Sequence, residues 1–325
     1  MEQECRQMYA EKAIMVVVPA HNEEKLIGRV IETMPEYVDK IIVVDDCSTD
    51  NTCVVLKELQ AKYPSRLFFI RHSVNQGVGG SIATGYQWCL DQHADVAVVM
   101  GGDAQMDPTD MPALLDPVIS GRVDFAKGNR LFTGDAWNQI PKVRYLGNSV
   151  MSLLTKIASG YWQIADSQCG YTALNHDVLK TIDWNQMYKR YGQPNDLLVR
   201  LNIYNFRVCD VKIRPVYNIG EKSGVKPIRM IPRLSWLLTR LYFYRMWQKY
   251  VIRDFHPLIF FYAVGSFLIA LCVPLTFRAV LLWIAEGILP AINTLAVMMC
   301  AIMGMQLILF AMWFDMEYNR HLNVN

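Results

Sequence analysis

Three stretches of this 325-residue chain carry residue types that could do chemistry at their spacing. Gly101-Gly102-Asp103-Ala104-Gln105-Met106-Asp107-Pro108 puts an acid and an amide oxygen two apart in a turn. Both can face one hard cation, with a diphosphate supplying further oxygens. Val44-Asp45-Asp46-Cys47-Ser48-Thr49-Asp50-Asn51-Thr52 offers carboxylates that can accept hydrogen bonds from a base N–H or ribose hydroxyls, ahead of residue types that start helices. Asn75-Gln76-Gly77-Val78-Gly79-Gly80 could bring backbone N–H groups and a helix N-terminus to a phosphate. That turn lacks the six-residue dinucleotide fingerprint and the P-loop lysine, which disfavours dehydrogenases and P-loop enzymes. Each stretch also has a structural reading: an Asx turn at Asp103, and capping at Asp45, Asp46 and Asp50.

These stretches need a scaffold that gathers them. Apolar runs at Ala13–Val18, Ile41–Val44, Leu67–Ile70 and Val96–Met100 alternate with amphipathic segments of helical length, the rhythm of a mostly parallel sheet covered by helices. In such sheets ligands bind at the carboxyl ends of the strands. There the sequence places Pro19–Glu23, Asp45–Asn51, Asn75–Gly80 and Gly101–Pro108. A second block mixes strand-like pieces at Asp124–Gly128 and Val208–Val216 with helical ones at Val143–Ser159 and Asn195–Tyr204, continuing the same domain.

The C-terminal part is of another kind. Lys222 to Arg253 carries eight Lys and Arg without an acid, interleaved with Trp236, Phe243, Tyr244 and Trp247, which suits a helix in a headgroup layer. Pro257–Phe277 and Ala291–Phe314 hold no charge, and each can span about 30 Å of hydrocarbon. The basic flank predicts a hairpin with both ends cytosolic and the link Arg278–Pro290 on the far side. The expected division is a cytosolic catalytic domain over 1–220, a basic amphipathic juxtamembrane segment over 221–254, and a two-helix hairpin with a short tail over 255–325. Met1–Lys12 shows no secretory signal, and the eight scattered cysteines form no CxxC pair, as expected for reduced thiols of a cytosolic domain. With charged residues at 19% and a net charge of +2, the chain lacks the cationic excess of a nucleic-acid binder.

In order along the chain come Val18-Pro19-Ala20-His21-Asn22-Glu23-Glu24, the Asp45-Asp46 loop, Asn75–Gly80, the Asp103 turn, Lys127-Gly128-Asn129-Arg130 and Asp166-Ser167-Gln168-Cys169-Gly170-Tyr171. As a set they resemble family 2 glycosyltransferases of the GT-A fold, in the membrane-anchored branch acting on polyprenyl phosphates, such as dolichol-phosphate mannosyltransferase. The resemblance implies an α/β, Rossmann-like, mostly parallel sheet with helices on both faces, then a juxtamembrane helix and two transmembrane helices. It implies a UDP- or GDP-sugar donor, a divalent cation (Mg or Mn) and a polyprenyl-phosphate acceptor at a bacterial or archaeal plasma membrane in preference to the ER. A homo-oligomer is compatible with it. Carried onto this sequence, Pro19, Ala20, Asn22, Glu23, Asp45, Asp46, Gln76, Gly77 and Asp103 would hold the nucleotide sugar, and Asp103 and Gln105 the metal. Arg130, Arg144, Lys222 and Ser223 would meet the acceptor phosphate, and Asp103, Asp166 and Asp196 would be the catalytic carboxylates. The sequence departs from the family pattern at Gly101, where an acid is usual, at Val78, where many relatives carry a lysine, and at His21, where tyrosine is usual.

The implied reaction is an inverting attack by a lipid-phosphate oxygen on the anomeric carbon. Such a phosphate, with a second pKa near 6, is largely dianionic at neutral pH and needs no general base, so His21 is expected against the base of the nucleotide. Two rivals stand beside it: transfer to another membrane glycolipid or polysaccharide, and a non-catalytic nucleotide-sugar-binding scaffold.

Overall fold

The structure, a computed structural model, describes the backbone of residues 9–130, 142–214 and 227–324, and side chains over 9–130, 149–214 and 232–324. It divides into two compact units, Met1–Tyr242 with His321–Asn325, and Phe243–Arg320.

The first unit is built on seven strands, β1 (Ile14–Ala20), β2 (Lys40–Asp45), β3 (Leu67–Arg71), β4 (Val96–Val99), β5 (Phe125–Asn129), β6 (Thr172–Asn175) and β7 (Val208–Lys212). Their order in the sheet is β3-β2-β1-β4-β6-β5-β7. All pairings are parallel except the two made by β6, which runs antiparallel between β4 and β5. The β-branched run of β1 is buried on both faces. Val16 and Val18 pack into one core with Ile27, Leu56 and Leu114, while Met15 and Val17 pack into the other with Ile82, Tyr86 and Leu197. Each such side chain contributes about 1.5 to 3 kcal/mol on burial, so the continuous apolar pattern selects a central strand rather than a solvated edge. Helices α1 (Ile27–Glu32), α2 (Thr52–Lys62) and α4 (Met111–Ile119) cover the first face, and α3 (Val78–Asp91), α6 (His176–Thr181) and α7 (Gln193–Ile203) the second. Helix α5 (Lys142–Ser159) meets α7 and α8 (Pro227–Trp247) in a third cluster that includes Met151, Val199, Leu234 and Leu238. The strand β6 was not expected from the sequence. Beyond the second unit the chain returns, and Val324 N donates to the Val208 carbonyl at 3.0 Å, so the tail belongs with the sheet.

The second unit holds α9 (Leu258–Glu286) and α10 (Ala291–Tyr318), each roughly 40 Å long at 1.5 Å per residue. Both are long and apolar enough to cross a membrane, and only 11% of each apolar window is buried, so neither is the core helix of a soluble domain. They touch at Gly265 and Gly304, where a Cβ on either would lie 3.0 Å from the carbonyl of the other. Helix α9 runs through Arg278 and ends at Gly287, in left-handed conformation (φ 68°), so the expected link of Arg278–Pro290 shrinks to Gly287–Pro290. Apolar residues resume after Arg278, and glycine is the residue that tolerates this helix stop.

Two of the basic residues expected in a headgroup layer are elsewhere. Arg245 and Lys249 are buried (0% and 2% exposed). Arg245 forms a two-pronged ion pair with Asp315 at 2.8 and 2.9 Å, and Lys249 Nζ donates to Asn319 Oδ1 at 2.7 Å. Asp315 and Asn319 lie four residues apart at the end of α10, and an unpaired buried cation would cost several kcal/mol. Burial and the Arg245 charge push the Lys249 ammonium down to about 7. Arg233, Arg240 and Arg253 remain exposed, as do Trp236, Phe243 and Trp247.

Candidate active site

The loops after β1 and β2 are laced together at the carboxyl edge of the sheet. Asp46 N donates to the Ala20 carbonyl, Asn22 N to Ser48 Oγ, Thr49 N to Asn22 Oδ1 and Glu23 N to Thr52 Oγ1, all within 2.8–2.9 Å. Asn22 takes φ 59°, a conformation that Asn tolerates better than most residues. Pro19 and Ala20 thus fall inside β1, with Asn22 and His21 exposed on the rim.

Asp45 is fully buried, accepts from Ser48 N at 3.0 Å and has Arg71 Nε 3.3 Å from its Oδ2. Asp46 organises the neighbouring loop: it meets His72 Nδ1 at 2.9 Å and accepts from Gln76 N at 2.8 Å and Gly77 N at 2.7 Å. Burial pushes its carboxyl up, but these hydrogen bonds outweigh that effect and hold it below the usual range. Within the Asn75–Gly80 turn expected near a phosphate, the N–H groups of Gln76 and Gly77 are thus engaged by Asp46. The glycines have a packing reason as well. A Cβ at Gly77, whose φ is 89°, would lie 2.5 Å from the Lys189 carbonyl, and Gly80 N donates to that same carbonyl at 3.1 Å. Lys189 Nζ reaches Gln76 Oε1 at 3.0 Å and Arg190 Nη1 reaches Asn75 Oδ1 at 3.1 Å. These cations lie beside the turn in which Val78 departs from the family pattern.

After β4, Asp103 Oδ1 accepts from Gln105 N at 3.2 Å, so the acid and the amide share one Asx turn, and Ala104 takes φ 56°. The Glu23 carboxyl is pushed up to about 7 by burial and then by the charges of Asp103 and Asp50. The first and fourth loops therefore converge on one acidic spot. A Cβ at Gly101 would lie 2.8 Å from Asp103 Oδ1, so a larger residue there would press on the carboxylate. Among the described residues no group of three His, Cys, Asp or Glu surrounds a common point.

The structure brings together two residues for which the resemblance implied separate roles. Asp166 Oδ2 accepts from Arg130 Nε at 2.7 Å and Arg130 N at 3.2 Å, and its Oδ1 accepts from Arg130 Nη2 at 3.0 Å. Burial pushes the Asp166 carboxyl up, but the Arg130 hydrogen bonds and the nearby Lys127 charge outweigh it and bring it to about 2. The arginine side chain is 29% exposed and the aspartate side chain 5%. Arg144 lies on α5, with its side chain outside the described residues, as are Lys222 and Ser223 altogether. Asp196, expected among the catalytic carboxylates, is 2% exposed on α7. Its oxygens accept from Tyr188 N at 2.7 Å and Arg200 Nε at 3.1 Å, so it ties the start of α7 to the backbone at Tyr188. The sequence reading did not assign Lys127, Asp210 or His72. The available signal was a charged residue at the middle position of a short strand, flanked by apolar or small residues, as at Lys127 and Asp210.

The sequence profile described as Glycosyl transferase family 2 matches residues 15–183. A UDP-N-acetylglucosamine–dolichyl-phosphate N-acetylglucosaminyltransferase of Methanococcus voltae is 30% identical over 220 residues, covering 64% of this chain and 87% of that protein. An undecaprenyl-phosphate mannosyltransferase of Micrococcus luteus is 30% identical over 216 residues, covering 65% and 86%. Among solved structures, glucosyl-3-phosphoglycerate synthase from Mycobacterium tuberculosis, in complex with Mn2+, UDP and glucosyl-3-phosphoglycerate, superposes with a TM-score of 0.51 at 20% identity, over 73% of this chain and 80% of that one. That likeness is one of fold, the GT-A sheet with its helices on both faces. A profile match that starts in β1, takes in every loop of the acidic rim and ends beyond α6 makes this chain a glycosyltransferase of family 2.

Proposed function

We propose that the chain transfers a sugar from a UDP- or GDP-sugar to a polyprenyl phosphate at the cytosolic membrane face, with inversion at the anomeric carbon. The observation that carries the reading is one chain joining a family 2 rim, with an arginine held at its edge by Asp166, to two helices of membrane length. The names of the Methanococcus and Micrococcus relatives support the acceptor class. The exposed Arg233, Arg240 and Arg253 before the first apolar helix support cytosolic ends for the hairpin.

In the reaction, a lipid-phosphate oxygen forms the new bond to the anomeric carbon as the bond from that carbon to the donor's diphosphate oxygen breaks. The electron pair leaves with the nucleoside diphosphate. Pro19, Ala20, Asn22 and Asp45 line the nucleotide end. Asp46 shapes the Gln76–Gly77 turn that closes it. Asp103 and Gln105 would hold the cation, being hard oxygen donors that suit magnesium or manganese, and a bound cation would offset the burial and the Asp103 and Asp50 charges that lift the nearby Glu23 carboxyl. When bound, such an ion supplies charge neutralisation on the departing diphosphate. Arg130 meets the acceptor phosphate, joined by Arg144, Lys222 and Ser223 in this reading. Asp166 holds the Arg130 guanidinium in one plane, which suits two-point contact with phosphate. Asp196 is reassigned to holding the backbone at Tyr188.

The test is mass spectrometry of lipids after membranes containing the protein are incubated with polyprenyl phosphate and a panel of UDP- and GDP-sugars. A polyprenyl-phosphate sugar is expected. Sugar appearing only on a different glycolipid or on polysaccharide would overturn the acceptor class.

A further inference from the structure

We infer that Asp210, on the edge strand β7, is a positioning residue for the arginine that meets the acceptor phosphate; this rests on the acceptor role proposed above for Arg130. The Arg130–Asp166 pair is carried by two separate segments, the end of β5 and the loop before β6. Asp210 Oδ2 holds both. It accepts from Asn129 Nδ2 at 3.0 Å and from Ala165 N at 2.8 Å. Asn129 immediately precedes Arg130, and Ala165 immediately precedes Asp166. One carboxylate oxygen thus ties together the residues next to each member of the pair, thirty-six positions apart in sequence.

The sheet register explains why the carboxylate sits there. β5 and β7 run parallel, with Lys127 opposite Asp210 and Asn129 opposite Lys212. Residues two apart on a strand share a face, so Lys127 and Asn129 both point to the side that Asp210 occupies. Burial pushes the Asp210 carboxyl above the usual range, and the charge of Lys127, itself 1% exposed, works against that rise at Asp210 and helps to hold Asp166 ionised. A guanidinium must be held within a fraction of an ångström to meet a phosphate with two bonds, and Asp166 alone fixes it only as well as its own loop is fixed.

The test uses the full chain in detergent with polyprenyl phosphate and the nucleotide sugar found active. Asp210→Ala is expected to lower kcat/KM for the acceptor by roughly ten- to a hundredfold. The donor dissociation constant from calorimetry should stay within about twofold. Asp210→Asn keeps an oxygen able to accept both bonds and should recover most of the loss; a loss equal to that of Ala would overturn positioning by these bonds. Asn129→Ala, which deletes one of the two bonds, carries the same test with less risk to folding and should give a smaller acceptor defect. Arg130→Ala is the reference. If it leaves acceptor kinetics intact, the acceptor role itself fails. If it impairs them while Asp210→Ala and Asn129→Ala do not, only the positioning inference fails.

Discussion

Two of the arginine–aspartate pairs among the described residues are two-pronged and of nearly the same geometry, yet lie in different surroundings. Arg130 and Asp166 meet at 2.7 and 3.0 Å on the rim of the sheet, and Arg245 and Asp315 at 2.8 and 2.9 Å beside the apolar hairpin. The first arginine keeps 29% of its side chain exposed, while the second pair is shut away at 0% and 1%. Geometry alone does not distinguish the pairs; exposure does. A pair with one face to solvent can hand that face to a ligand. A sealed pair can only hold its own helices in register, with Tyr250 also donating to Asp315 and Asn319 donating to Tyr250.

The largest effect that could break this contrast is at the sealed pair. Arg245→Ala leaves Asp315 buried without its countercharge, and full-length protein in detergent is expected to lose about 3 to 5 kcal/mol of stability. Thermal unfolding measures it, and turnover per folded molecule should stay within about twofold. A large turnover defect in protein that remains folded would erase the distinction.

The converse holds at the rim. Arg130→Ala is expected to cost about 3 kcal/mol of transition-state stabilisation, roughly a hundredfold in acceptor kcat/KM. Its unfolding temperature should change far less than that of Arg245→Ala. Kinetics with varied acceptor, run beside a melting curve, decide it; the reverse ranking of the two variants would end the comparison.

The pH dependence sharpens it. The Asp166 carboxyl is brought to about 2 from an ordinary value of 3.8, so its stabilisation is fully present above pH 4 and is lost as pH falls through about 2. At about 1.4 kcal/mol per unit that shift is worth roughly 2 to 3 kcal/mol. Asp166→Asn should therefore lose stability relative to the parent at pH 6 and much less at pH 2, measured by denaturant unfolding at both.

The smallest effect is the most diagnostic. Replacing both sealed residues, Arg245→Met with Asp315→Leu, removes two buried charges together and should leave stability within about 1 kcal/mol of the parent or raise it. A double variant as unstable as Arg245→Ala alone would show that the pair does more than neutralise itself.

Much of the fold was legible because its signals are local and redundant. The valine and isoleucine runs at 14–18, 41–44 and 96–99 are buried on both faces, so no competing register exists, and strands appear where the pattern put them. The two apolar helices were equally plain. β6 was missed because Thr172–Asn175 is four residues long, carries polar side chains at both ends, and is a strand only through its neighbours β4 and β5. At the site, the sequence determined which loops gather at the rim, since strand polarity alone decides that.

Only the tertiary structure decided how the carboxylates are used. Asp46 and Asp196 look as available in sequence as Asp103, yet one is spent on Gln76 N, Gly77 N and His72, and the other on Tyr188 N and Arg200. Likewise the sequence placed Arg245 in a basic stretch, and the fold gave it Asp315, seventy residues away, as its partner. The reason is physical. Hydrophobic periodicity is a property of one segment, whereas a charged side chain's role depends on which distant donor or acceptor the packed chain brings within about 3 Å, and nothing local in the sequence encodes that meeting.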